Sequence, residues 1–69
     1  MTLEDYRRSI GWSKSELARQ AGLDYNTANR ALKGELISAR TANAIATALG
    51  RALNQTVLVS QIEGLNVAY

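Results

Sequence analysis

The chain has 69 residues, of which 46% are hydrophobic and 20% are charged, and it contains no proline, cysteine or histidine. A chain this short builds one hydrophobic core, so we expect a single domain. The missing cysteine and histidine remove disulfides, the usual zinc ligands, thiol nucleophiles and imidazole bases, and we expect no enzyme, metal or cofactor. Apolar runs stop at two to three residues. We therefore expect no membrane span and no signal peptide, and a cytoplasmic location.

The formal net charge of +2 is unevenly distributed along the chain. Residues 25–51 carry four basic side chains against one acidic one, a net charge of +3, whereas residues 1–24 are neutral and residues 52–69 carry −1. A basic middle segment fits a polyanionic partner, but an ordinary solvated helix face would have the same composition. Charge alone leaves the function open.

Four amphipathic stretches each follow a short polar residue that can cap a helix and precede a glycine or asparagine that can end one. Ser13 with Glu16 forms a capping-box pattern. Gly50 would cost a helix about 1 kcal/mol relative to alanine, so the fourth helix could end there rather than at Asn54. The expected helices, with their flanking residues, are 3–10 (Thr2, Gly11), 14–21 (Ser13, Gly22), about 24–33 (Asp24, Gly34) and a fourth from Ser38 to Asn54.

Residues after Asn54 give weaker signals. Val57 to Val59 favour a short extended segment, and Ser60 with Glu63 repeats the capping-box pattern before Gly64, which predicts a last one-turn helix. We expect residues 1–65 to form the domain and residues 66–69 to form a flexible tail.

The most informative spacing joins the second and third helices. A small residue at Ala18 allows close helix packing, Gly22 permits a positive φ in a tight turn, and Leu23 fills the angle before the next helix starts at Asp24. The stretch LARQAGLDYNTANRALK, residues 17–33, resembles the helix-turn-helix of phage-repressor-like DNA-binding proteins of the Cro and C1 repressor type. DYNTANRAL followed by ISART also resembles the headpiece of lac-repressor-type regulators, but the additional helix at 3–10 favours the phage-repressor-like arrangement.

The resemblance implies an all-α, lambda-repressor-like bundle of four to five short helices. It also implies sequence-specific binding to double-stranded DNA by a small transcriptional regulator, a repressor, that places the helix at about 24–33 in the major groove. The base-reading positions of the family fall on Tyr25, Asn26 and Arg30. Arginine can donate two hydrogen bonds to guanine, asparagine can pair with adenine, and tyrosine can pack on a thymine methyl group.

Other residues are placed to contact the DNA backbone, because helix N-termini and cations both favour phosphate. The expected backbone contacts are Lys14, Ser15, Thr27, Asn29, Lys33, Gly34, Ser38 and Arg40.

The chain departs from the family pattern at three positions. The family usually has β-branched residues where Ala28 and Ala31 stand, and a basic residue where Glu35 stands. The alanines reduce the apolar area that the third helix buries, and Glu35 reduces the attraction for phosphate after this helix.

A different class of function, a protein-interaction module such as an antitoxin or partner subunit, would use an exposed apolar patch. We favour the interpretation that the candidate patch completes a thin core, and the same end of the bundle can also support a homodimer. We expect no small-molecule ligand. The patch contains Val57, Leu58, Val59, Ile62, Leu65 and Val67, and the expected homodimer contact uses the first five of these residues.

Overall fold

The computed structural model of the protein describes all 69 residues. Four α-helices account for most of the chain, and a 3-10 turn and two short strands complete it. The elements in chain order are α1 (Leu3–Ile10), α2 (Lys14–Ala21), α3 (Tyr25–Leu32), β1 (Leu36–Ser38), α4 (Ala39–Leu53), a 3-10 turn (Val59–Gln61) and β2 (Asn66–Ala68).

Each α-helix begins at the polar residue that the sequence predicts as its cap. The side-chain oxygens of Thr2, Ser13, Asp24 and Ser38 each accept a hydrogen bond, 3.0 to 3.1 Å long, from the backbone N–H three residues later. These bonds satisfy N–H groups that have no partner inside the helix. The expected capping box at Ser13 is only half present, because the Glu16 carboxylate accepts from Arg19 and Gln20 instead. The reciprocal box occurs at Thr2.

Left-handed residues end three of the four helices. Gly11, Gly22 and Asn54 have φ values of 88°, 70° and 55° at the ends of α1, α2 and α4. Gly34, with φ 79°, takes this conformation one residue after the end cap of α3. The fourth helix therefore runs through Gly50 and ends at Asn54, as one of the two sequence interpretations predicts.

The core lies where α4 packs against the other helices. Leu17, Ile45 and Leu49 are fully buried, and no polar or charged side chain is buried with them. Alanines on α3 and α4 occupy much of the remaining core, and half-buried Tyr6, Trp12 and Leu32 pack around it. Burial of these apolar side chains is the main favourable contribution to the stability of the fold.

A two-stranded sheet corrects the all-α expectation. β1 pairs with β2 in parallel, with Leu36 opposite Asn66, Ile37 opposite Val67 and Ser38 opposite Ala68. Ile37 is buried and Val67 packs against the core, so the hydrophobic centre of each strand holds the pair on the bundle. Residues 66–68, which the sequence places in a flexible tail, thus form a strand paired with β1.

The segment between α4 and β2 also differs from the sequence prediction. Val57 to Val59 form no strand, and the expected helix after Ser60 is a 3-10 turn that starts at Val59. The Leu58 N–H donates to the Gln61 side chain at 2.9 Å, so Ser60 is not the cap. The Glu63 N–H donates to the Met1 carbonyl at 2.9 Å, which joins the segment to the start of the chain.

Candidate nucleic-acid interface

A three-residue turn connects α2 to α3. The Leu23 N–H donates to the Ala18 carbonyl at 2.8 Å, and Gly22 lies in the left-handed region with φ 70°. Asp24 then caps α3 at once, because its carboxylate accepts from the Thr27 N–H at 3.1 Å. The turn is therefore held by hydrogen bonds at both ends, and α2 packs directly on α3.

The third helix has one buried face and one free face. Ala28 and Ala31 point into the bundle, where they are 0% and 3% exposed. Asn26, Arg30 and Lys33 are exposed at positions that share the opposite face of the helix. The sequence has alanine at positions 28 and 31, where β-branched residues were expected from the resemblance. Both positions still belong to the core, but small side chains fill them.

Two of the three expected base-reading side chains are free of other partners. Tyr25 is 48% exposed, Asn26 is exposed, and neither side chain takes part in a hydrogen bond or an ion pair within the chain. Both stand in the first turn of α3. Their donors and acceptors are therefore open to an external ligand.

Arg30, the third expected base-reading residue, is exposed but engaged. Its Nη2 donates to the Leu36 carbonyl at 3.0 Å, and its Nε lies 3.6 Å from a carboxylate oxygen of Glu35. Sequence reasoning missed both contacts. The available signal was the acidic residue at 35, five positions after Arg30.

The expected backbone contacts lie around the ends of three helices. Thr27 and Asn29 are half-buried on α3, and the other expected positions are exposed. Ser38 is exposed, but its hydroxyl is already used, since it accepts from the Thr41 N–H and donates to the Thr41 hydroxyl. The exposed positions are Lys14 and Ser15 at the start of α2, Lys33 and Gly34 after α3, and Ser38 and Arg40 at the start of α4.

The basic side chains fall into two groups, those that pair with a carboxylate or donate to a carbonyl of the chain and those that do neither. Arg7 and Arg8 pair with Glu4, Arg19 pairs with Glu16, and Arg51 donates to the Gln20 carbonyl. With Arg30 also engaged, the basic side chains without a partner in the chain are Lys14, Lys33 and Arg40. All three flank the helix-turn-helix, at the residues expected to meet phosphate.

Hydrogen bonds also keep two carboxylates in their charged form, that of Glu4 on α1 and that of Asp24 at the start of α3. The Arg7 side chain, which donates to Glu4, lowers the pKa of Glu4 to about 2. Bonds from Thr27 lower the pKa of Asp24, so the cap of α3 stays ionised at neutral pH. A negative charge at a helix N-terminus is favourable to the helix dipole.

Comparison with known proteins identifies the family of the chain. A family model described as helix-turn-helix, of the Cro/C1 type, matches residues 3–56. The chain belongs to this phage-repressor-like helix-turn-helix family, whose members bind DNA and are generally transcription regulators rather than enzymes. No curated protein and no solved structure matches the chain. None of the helices has both the length and the apolar character needed to cross a membrane.

The apolar C-terminal patch is largely used inside the fold. Val57 and Ile62 are buried in the core, at 8% and 4% exposure, and Val59 and Leu65 are half-buried against it. Only Leu58 remains well exposed, at 55%. The interpretation that these residues complete a thin core is therefore confirmed for Val57 and Ile62, which are not available to a partner.

Proposed function

We propose that the protein binds a specific double-stranded DNA sequence and regulates transcription as a small repressor, with α3 in the major groove. Family membership supports the DNA-binding class. Occupation of an operator is by itself enough to exclude other proteins from the same DNA, so repression requires no additional activity from the chain.

The observation that carries the proposal is the position of the unpartnered cations. Lys14, Lys33 and Arg40 stand at the start of α2, the end of α3 and the start of α4, whereas the other basic side chains are held by acceptors of the chain itself. Cations without an internal partner are available to neutralise phosphates. The three cations lie at the ends of α2, α3 and α4, where the proposal places the contacts with the DNA backbone.

The exposed face of α3 supplies the chemistry for reading bases. Asn26 can exchange two hydrogen bonds with adenine, Arg30 can donate two to guanine, and Tyr25 can pack on thymine. In this proposal Ser15, Thr27 and Asn29 assist the cations at the backbone, as do the N–H of Gly34 and the N-terminus of α4 at Ser38.

We further propose that two copies bind one operator. A single module of this size contacts few base pairs, and two modules on half-sites about 10 bp apart would supply the missing specificity. Of the residues in the apolar C-terminal patch, Leu58 is exposed enough to contribute to a contact between copies.

The experiment selects a site from a library of random duplexes and titrates the protein against this site and against scrambled DNA at several salt concentrations. Arg30→Ala should cost about 1 to 3 kcal/mol on the selected site and flatten discrimination at one base pair. Lys33→Ala should weaken binding to both DNAs alike and lower the slope of log K against log salt by about one.

Two controls accompany these titrations. Thermal melting of each variant separates a loss of contacts from a loss of folding, which matters for Arg30 because its side chain also binds the Leu36 carbonyl. Sedimentation at saturation gives the number of chains per duplex, expected to be two on a palindromic site. Equal affinity of the unmodified protein for selected and scrambled DNA would refute sequence-specific binding, and one chain per palindromic duplex would refute the paired arrangement.

A further inference from the structure

Glu35, just after α3, contacts a side chain that is expected to read DNA. Its carboxylate is 3.6 Å from Arg30 Nε, and both side chains are about half exposed, at 51% and 55%. An exposed ion pair of this kind contributes little to stability. A stabilising role in the fold is therefore a weak explanation for an acidic side chain beside a DNA-binding helix.

The contacts of Arg30 occupy one edge of its guanidinium and leave another free. A guanidinium carries five N–H donors in a fixed plane. The Nε group faces Glu35, and one Nη2 N–H donates to the Leu36 carbonyl. Both Nη1 donors and the second Nη2 donor have no partner in the chain. The terminal pair of nitrogens, Nη1 and Nη2, is thus still able to donate two parallel hydrogen bonds.

We propose that Glu35 and the Leu36 carbonyl are positioning groups that hold Arg30 by its inner edge and present its terminal edge to O6 and N7 of one guanine. The proposal rests on the DNA-binding function proposed above and adds a specificity-determining role for Glu35. A bidentate contact with guanine requires the guanidinium plane to align with the base pair. An arginine held in advance by a hydrogen bond to the Leu36 carbonyl, with the Glu35 carboxylate 3.6 Å from its Nε, loses less side-chain freedom when it binds.

The strand pair fixes one of these two acceptors. Leu36 is the first residue of β1 and lies opposite Asn66 of β2, while the neighbouring Ile37 is buried in the core. The position of the Leu36 carbonyl therefore depends in part on a strand at 66–68, which lies beyond residues 3–56 matched by the family model. The C-terminal strand contributes to base reading through this contact, at a distance from the DNA.

Glu35 should have opposite effects on affinity and on discrimination. It is the only acidic residue between positions 25 and 51, so its charge repels phosphate and weakens binding to every DNA sequence. If it also orients Arg30, it favours the guanine-containing site over its competitors. A side chain that only neutralised Arg30 would weaken binding without changing the preference for guanine.

The test measures binding of Glu35→Ala to the selected duplex and to duplexes in which the guanine read by Arg30 is replaced. Glu63→Ala is the matched control, because it removes the same charge from an exposed residue that pairs with the N-terminal amine and has no contact with Arg30. Both variants should bind all duplexes more tightly. Glu35→Ala alone should lose about two- to tenfold in discrimination at the guanine position.

The same Glu35→Ala substitution, made in a protein that already carries Arg30→Lys, measures whether Glu35 acts on discrimination through Arg30. In Arg30→Lys protein, which cannot make the planar bidentate contact, Glu35→Ala should leave discrimination at this position unchanged. The positioning role is overturned if Glu35→Ala and Glu63→Ala change all affinities alike and preserve the preference for guanine. Failure of the DNA-binding function is a separate result, since the unmodified protein would then show no preference among duplexes at all.

Discussion

A methyl group added at Gly50 should destabilise the protein, although glycine is a poor helix residue. Gly50 lies inside α4, and the chain turns back over it after Asn54, so that the Gln55 N–H donates to the Gly50 carbonyl at 3.0 Å. A Cβ atom at this position would lie 2.7 Å from the Gln55 carbonyl oxygen and 3.5 Å from the Val57 nitrogen. Both neighbours are backbone atoms, so relief of the clash requires movement of the chain that leads to buried Val57.

The size of the effect follows from two opposing terms. Alanine in place of glycine stabilises an ordinary helix interior by about 1 kcal/mol. Overpacking that shifts the backbone costs about 1 to 3 kcal/mol. We therefore expect Gly50→Ala to lower the free energy of unfolding by about 1 kcal/mol, which for a domain of this size lowers the Tm by roughly 4 to 8 °C.

Urea and thermal unfolding followed by circular dichroism measure this difference. Ala52→Gly is the matched control, because Ala52 is exposed in the last turn of the same helix. That substitution should be destabilising by up to about 1 kcal/mol, as helix propensity alone dictates. The fold should therefore be more stable with glycine at position 50 and with alanine at position 52. A Gly50→Ala variant that is more stable than the unmodified protein would show that Gln55 does not approach α4 as described.

Two further predictions concern acid stability and the turn of the helix-turn-helix. Because the hydrogen bond from Arg7 lowers the pKa of Glu4 from an ordinary value of 4.5 to about 2, its carboxylate stabilises the fold above pH 4.5 and loses this effect as the pH falls toward 2. Urea midpoints should therefore fall over this range, and less steeply in Glu4→Gln; an equal slope in both proteins contradicts the pairing. Gly22→Val should cost about 1 to 3 kcal/mol because a β-branched residue is strained at φ 70°, and no atom lies within 4 Å of a Cβ added there. Gly22→Asn should be milder, because asparagine tolerates the left-handed region. Unchanged melting of Gly22→Val would remove the left-handed turn.

Helix boundaries were predictable from the sequence because their causes are local. Each cap is a hydrogen bond across three residues, as between Asp24 and the Thr27 N–H, and Asn54 ends α4 through its own left-handed conformation. The spacing around Gly22 likewise identifies the turn and the family from a short stretch of chain. The exposed and buried faces of α3 follow from helical periodicity alone.

The sheet and the environment of Arg30 depended on the tertiary structure. β1 and β2 have three residues each and pair across a separation of 30 positions, too short for a periodic pattern and too distant for a local signal. Val57 and Ile62 are buried rather than exposed because the segment after α4 folds back onto the core. The contact of Arg30 with the Leu36 carbonyl has a local and a long-range cause. The Glu35 N–H donates to the Arg30 carbonyl at 3.0 Å, and the pairing of β1 with β2 then fixes the path of the chain at Leu36.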